Sequence, residues 1–362
     1  MGAAELSAGT VRPNLAEFAD TVRNNGAGWN LPSAMADWGP LILRRLRTVW
    51  ERCWPILRWC LPGTLALVLI SGWAAYFSGG MAAVVGWLAL VTAGQTLAPV
   101  SLMALLAHAL RTRHFSRPMQ VTFGLAAVAF WPALWGFGIL TITFPFSLGT
   151  SSPSATVRLP SNEELLVGWG GDSLDTNYHA AYPDQRWAYD LLVEPAAHGG
   201  RDLADYGCYG TPVVAPAAAT VAMAVDGLPD HMPGKASMDI KHPAGNSVAL
   251  ELHTGTYLLI AHLQRGSVLV ERGDQVEEGQ PIGACGNSGN TSEPHIHIHH
   301  QRQNPRGRPL NFSEGLPLYF RDHDGPPMPE GGLEVRDQKI VLTGATVRHA
   351  ADTPAEIRAP LQ

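Results

Sequence analysis

The sequence predicts a two-part chain. Apolar transmembrane α-helices, three of them, come first, and a mainly antiparallel β domain follows. Three observations carry this expectation. No Asp, Glu, Lys or Arg occurs from Trp59 to Leu110 or from Pro118 to Val157. After Arg158, short β-type runs alternate with Gly, Pro and Asn. A His-x-His pair, His295 and His297, follows a glycine-rich turn and reads as strand.

The totals agree with this division. The chain has 362 residues, 46% of them hydrophobic and 15% charged, which is apolar for a soluble protein. Its formal net charge of −6 predicts no nucleic-acid partner. Four cysteines are too few for a disulfide scaffold, and none falls in a CxxC zinc spacing.

A spanning helix needs about 20 apolar residues. Three runs qualify: 59–77, a span within 81–110, and 120–144. A Ser78-Gly79-Gly80 turn joins the first two. Trp59, Tyr76 and Trp87 fit interfacial anchoring. A buried soluble helix fits less well, because uncharged runs this long leave no polar face. A cleavable leader would begin far earlier in the chain.

Arg44, Arg45, Arg47, Arg52 and Arg58 precede the first run, and Arg111, Arg113 and Arg117 follow the second. Positive-inside bias then places the N-terminus and the 111–117 loop in the cytoplasm. Everything after about 146 lies outside, in a multi-pass arrangement. The expected division is a cytoplasmic segment 1–58, a membrane domain 59–146, a Gly/Ser/Pro-rich linker 147–160, a β domain 161–315 and a β extension 316–362. His108 is expected at the membrane edge. Frequent Gly and Ala in the helices permit close packing, compatible with a homodimer or a regulatory protein partner.

Candidate strands are 186–193, 212–215, 220–225, 247–252, 257–262 and 295–299. Residues 268–282 pair two apolar runs around Gly turns, as a hairpin would. Runs 333–335 and 340–342 suggest two further strands outside the core. No long segment has a helical period. The turn pattern at 213–221 and 276–283 fits barrel-sandwich folds, carrier and phosphotransfer domains included.

Side chains alternate along a strand, so His295 and His297 share a face. Asp190 interrupts an apolar strand, where a lone buried carboxylate is costly unless paired or metal-bound. His262 ends another apolar strand, and His179 precedes a Pro-containing loop. A catalytic zinc takes three protein ligands and keeps one position open. One Asp and several His on strands meet that need. Ordinary core or surface roles remain open for His262 and His179 taken singly. They are the default for His198, His231, His242, His253 and His300.

The run 257–263, the Gly-turn segment 268–283 and the motif Gly-Asn-Ser-Gly-Asn-Thr-Ser-Glu-Pro-His-Ile-His at 286–297 resemble the LytM/lysostaphin-like zinc metallopeptidases of family M23. The similarity covers about 177–299. It implies an antiparallel groove with one Zn2+ and activity on peptide cross-links of bacterial peptidoglycan. It also implies a bacterial cell membrane, with the β domain periplasmic or extracellular. By motif, His297 and Asp190 match zinc ligands, and His295 and His262 match the two non-ligand catalytic histidines. One position departs. Where the family has its first zinc histidine, four residues before the Asp, this chain has Arg186, whose permanent charge forbids ligation.

Two readings follow. His179 supplies the missing ligand, and the domain is an endopeptidase. Otherwise the site is degenerate, and the domain binds cell wall or regulates a hydrolase. A carrier role is disfavoured, because 268–282 lacks the modifiable lysine such hairpins present. Cys208 and Cys285 both fall in the exported part; a bridge between them would brace the turn before His295, and bridged and free forms both stay open. Cys53 and Cys60 are expected to remain thiols.

Overall fold

The computed structural model describes residues 33–350 apart from 137, 138, 141, 142, 145, 235, 236, 238, 240, 310, 337 and 338. Most of the expected cytoplasmic segment and the end of the expected C-terminal extension therefore lie outside the described residues. The chain divides into two compact units, Met1–Cys60 and Leu61–Gln362.

Two stretches are long and apolar enough to cross a membrane, Thr48–Phe77 and Gly80–Thr112. The first is the end of the helix Ser33–Phe77. The second joins helices Gly80–Thr92 and Ala98–Thr112 through a π-helical turn, Ala93–Leu97. Gly72 and Gly86 let these stretches touch. A Cβ on Gly86 would lie 2.5 Å from the Gly72 carbonyl oxygen, closer than any side chain tolerates. Leu67, Ile70, Phe77, Met103 and Leu110 stand exposed.

The third expected span does not form. Its residues make a 13-residue helix, Arg117–Ala129, and a six-residue one, Trp131–Gly136. Thirteen residues reach about 20 Å, short of a bilayer core of about 30 Å. Pro132 explains the break: its ring nitrogen cannot donate to the Val128 carbonyl, so the first helix closes at Phe130 and the proline falls in the first turn of the next, where no donor is needed.

The β domain is built on one large sheet, ordered β15-β2-β3-β10-β7-β6-β5-β8. Its strands are β2 (Leu165–Trp169), β3 (Tyr189–Leu192), β5 (Ala219–Val225), β6 (Asn246–Glu251), β7 (Tyr257–Leu263), β8 (Gln275–Val276), β10 (Ile296–Gln301) and β15 (Thr346–Val347). All these pairings are antiparallel. β11 (Gly315–Leu316) adds to β10. The expected hairpin at 268–282 is a different structure. β8 pairs with β5, whereas β9 (Pro281–Ala284) pairs with β4 (Pro212–Val214).

The stretch expected as linker carries β1 (Ala155–Val157), which runs parallel to β12 (Leu318–Phe320). Residues on both sides of the β domain thus join its core, and Ala155, Leu318, Phe320 and Val347 are buried there. β13 (Leu333–Arg336) and β14 (Lys339–Leu342) form a separate hairpin.

Alternation along the central strands separates two chemistries. Tyr189, Leu191, Ile260, Ile296 and Ile298 enter the apolar core. Asp190, His297 and His299 take the opposite face, and His297 and His299 line a cavity of about 420 Å³ together with His179 and His262. Cys208 and Cys285 form a disulfide with Cα atoms 5.7 Å apart. It joins the loop before β4 to the entry of the glycine-rich turn. Cys53 and Cys60 are free.

Candidate metal centre

Register places the first pair. His297 stands directly opposite Asp190 across β10 and β3, so both side chains leave the same face. Their atoms meet, with His297 Nδ1 2.8 Å from Asp190 Oδ1. His179 sits in the short helical turn Tyr178–Ala181. The turn is fixed by Asn177, whose side chain accepts the His179 N–H and donates to the carbonyls of Gly171 and Ala188. That places His179 Nε2 3.0 Å from Asp190 Oδ2. His179, Asp190 and His297 are all buried, and their donor atoms lie within 4.8 Å of one another. A second such group is His262, His295 and His297.

The glycine-rich turn positions the other two histidines. A Cβ on Gly289 would lie 2.4 Å from the Gly245 nitrogen, so only glycine lets the turn close on the 243–245 loop. The turn delivers the Ser288 carbonyl to His262 Nδ1 at 2.8 Å. His262 has a φ of 62°, a left-handed conformation that costs energy for a non-glycine residue. His295 Nδ1 donates to the Glu293 carbonyl at 2.8 Å. Each imidazole is thereby held by a backbone carbonyl at Nδ1, which leaves Nε2 for the groove. The two rings are 4.8 Å apart.

Electrostatics sharpen the picture. Burial would raise the Asp190 carboxyl, but the neighbouring His179 and His295 hold it well below its usual range. Asp190 is therefore ionised and accepts only. Burial, reinforced by His295 and His297, holds His262 well below the ordinary imidazole value. His262 is a neutral base. Burial also lowers His297, and burial with the adjacent His297 pushes His299 down to about 3.

The hydrogen bonds along β10 decide which His297 nitrogen carries the proton. Gln301 Nε2 donates to the Gln303 carbonyl at 2.6 Å. A carbonyl only accepts, so Gln301 must present its oxygen to His299 Nε2, 2.9 Å away. His299 then carries its proton on Nε2 and accepts at Nδ1 from His297 Nε2, also at 2.9 Å. His297 Nδ1 is left with a lone pair facing the Asp190 carboxylate. Two acceptors at 2.8 Å repel unless a cation bridges them. The donor set, one carboxylate and two imidazoles, is the one zinc takes in catalytic sites.

Arg186 is not part of this cluster. Its Nη2 pairs with Asp172 at 2.8 Å, its Nε donates to the Phe144 carbonyl at 3.2 Å, and its guanidinium lies over Trp187. The Trp187 indole N–H donates to the same Asp172 oxygen at 2.7 Å. Phe144 packs on Trp87 of the helix Gly80–Thr92, with ring centroids 5.6 Å apart.

All five singled-out residues, His179, Asp190, His262, His295 and His297, thus line one site. His300 fills the ordinary role expected of it, with its Nδ1 on the Pro317 carbonyl and its Nε2 on Thr256. Sequence reasoning passed over His299 and Gln301. The signal was present, since they continue the two-residue period of His295 and His297 along the same strand.

Residues 196–311 match the model of peptidase family M23. The chain therefore carries an M23 peptidase domain in its C-terminal part. The matched residues include His262, His295 and His297 but begin after His179, Arg186 and Asp190, where the chain departs from the family pattern. A curated relative is the peptidoglycan DD-endopeptidase ShyA of Vibrio cholerae, 31% identical over 152 residues. The match covers 39% of this chain and 30% of that protein, so the chain spans less than a third of its relative's length. Among solved structures, the lysostaphin catalytic domain from Staphylococcus simulans is 22% identical, covering 37% of this chain and 75% of that one, with a TM-score of 0.23. A zinc-containing peptidase from Vibrio cholerae is 19% identical, covering 35% and 28%, with a TM-score of 0.22.

Proposed function

We propose that this chain is a membrane-anchored zinc endopeptidase that cuts peptide cross-links of bacterial peptidoglycan. One observation carries the reading. An ionised carboxylate and two imidazoles converge in a groove, with the His297 Nδ1 lone pair facing the carboxylate, and two further histidines offer Nε2 beside them. The M23 domain and the ShyA relative supply the substrate class.

His179, Asp190 and His297 would hold the metal. Zinc bound there would supply Lewis-acid polarisation of the scissile carbonyl and a water acidic enough to react near neutral pH. The chain's own groups do the rest. His262, neutral and fixed at Nδ1 by Ser288, accepts a proton at Nε2 from the attacking water and returns it to the leaving amine. His295, whose Nδ1–H is taken up by the Glu293 carbonyl, turns Nε2 to the groove, where it would stabilise the developing oxyanion as a donor in its imidazolium form.

The apolar stretches Thr48–Phe77 and Gly80–Thr112 support anchoring in a cell membrane; two crossings leave both ends of the chain on one side, so an external β domain puts the N-terminal side outside too, against the orientation its arginines predict. The Cys208–Cys285 bridge supports placing the domain in an oxidising space outside it. A homodimer or regulatory partner through the helices is compatible with their small-residue contacts.

The test is release of cross-linked muropeptide fragments from purified sacculi by the detergent-solubilised full chain, with and without a zinc chelator. Chelator-sensitive cleavage supports the reading. Binding to sacculi without cleavage, by protein containing zinc, would move the assignment to a cell-wall-binding or hydrolase-regulating domain. Arg186, in the place of the family's ligand, is the feature favouring that second reading.

A further inference from the structure

The hydrogen bonds behind His297 run further than a metal ligand needs. The Gln303 carbonyl orients Gln301, Gln301 orients His299, and His299 receives the His297 N–H. Every link is buried at His297, His299 and Gln301. Gln301 Nε2 is also within 3.3 Å of Ser313 Oγ, which ties the chain to the loop before β11. Each link has one orientation only, because it starts from a backbone carbonyl that cannot donate.

From this we infer that His299 and Gln301 are positioning residues that hold His297 as the tautomer with its proton on Nε2, keeping Nδ1 free for a cation shared with Asp190. The inference rests on the metal reading above for its purpose, but not for its geometry. A metal-bound imidazole is usually steered by an acceptor on its other nitrogen, commonly a carboxylate or a carbonyl. Here a neutral imidazole does that work. A neutral acceptor withdraws the His297 proton less than a carboxylate would. It also adds no negative charge to a site that already holds Asp190. An imidazole can serve only if its own proton is pinned on the far side, and pinning it is the part played by Gln301 Oε1.

The test separates steering from packing. His299→Asn keeps an acceptor oxygen near the position of Nδ1, whereas His299→Leu keeps bulk and removes the acceptor. Gln301→Met breaks the next link out. The full chain in detergent is titrated with zinc against a competing chelator, and melting temperatures are recorded in parallel. The expected result is that zinc affinity falls about 10- to 100-fold in His299→Leu, stays within a few-fold of wild type in His299→Asn, and falls less in Gln301→Met than in His299→Leu. Folded His299→Leu protein with wild-type zinc affinity overturns the inference, as does an equal loss in the Leu and Asn variants.

Long-range 1H–15N spectra of histidine-labelled wild-type protein read the tautomers directly. A proton on His299 Nε2 and none on Nδ1 is expected. A proton on His299 Nδ1 overturns the chain whether or not zinc binds. If the wild-type protein takes up no zinc, the metal reading fails by itself, and the tautomer spectrum still decides this inference.

Discussion

The apolar helices and the β domain invert each other. The helices turn Leu67, Ile70, Phe77 and Leu110 outward, where water would penalise each of them. The β domain turns Asp190, His179, His297 and His299 inward, where an apolar interior would penalise each of them. Each region leaves a debt that the polypeptide alone does not discharge. On the proposed reading an apolar surround relieves the helices, and a cation between His297 Nδ1 and Asp190 Oδ1 relieves the groove. Misplaced residues therefore report what each region meets outside the chain, while well-placed ones report only that it folds.

His297→Ala should abolish zinc uptake and lower turnover by more than about a thousandfold, read by elemental analysis and muropeptide release. Zinc retained with full activity would rule out a cation held by His297. Next, His262→Ala should keep zinc and lower kcat by about 10²- to 10⁴-fold, since His262 touches the reacting proton and not the ligand set. Loss of zinc in that variant would instead favour the His262, His295 and His297 group as the metal site.

Stability effects follow. The Cys208–Cys285 bridge closes a separation of 77 residues, so the double Ser variant should lose about 4 kcal/mol in denaturant titrations. His300 is buried, and its imidazole is pushed down to about 4, chiefly by burial. The unfolded chain binds that proton from about pH 6.5 downward. Stability should therefore fall as the pH drops from about 6.5 to 4, by about 3 kcal/mol from this group. His300→Gln should flatten that slope in melts followed by tryptophan fluorescence. Least affected should be Arg186→Met. It loses a pair with a half-exposed Asp172, costs about 1–2 kcal/mol, and leaves zinc content unchanged. Zinc loss there would mean that the guanidinium orders the site after all.

Much of this was legible before the structure. The strand period put His295 and His297 on one face, and Asp190 stood out as an acid among apolar neighbours. The partnership of Asp190 with His297 was not legible as geometry, because it depends on register between strands 107 residues apart in sequence. His179 stood among the candidate histidines from the start, but its ligand role was tied only to the departure at Arg186. What brings it in is the Asn177-braced turn, whose hydrogen bonds to Gly171 and Ala188 no local pattern announces. The third span was misread because composition does not show where a helix stops. Pro132 stood in that run, and weighing it against the residues around it would have shortened the helix. The 268–282 hairpin failed for a related reason. Gly turns at its centre fit a hairpin locally, but β8 and β9 find better partners elsewhere in the fold.

On the proposed reading, His179 takes the place of the ligand that Arg186 cannot be. The decisive measurement is zinc stoichiometry of the detergent-purified full chain, by elemental analysis beside His179→Ala. One zinc per wild-type chain, lost in a folded His179→Ala protein, is the predicted result. A folded wild-type protein without zinc, or a His179→Ala protein that still holds one, would contradict it.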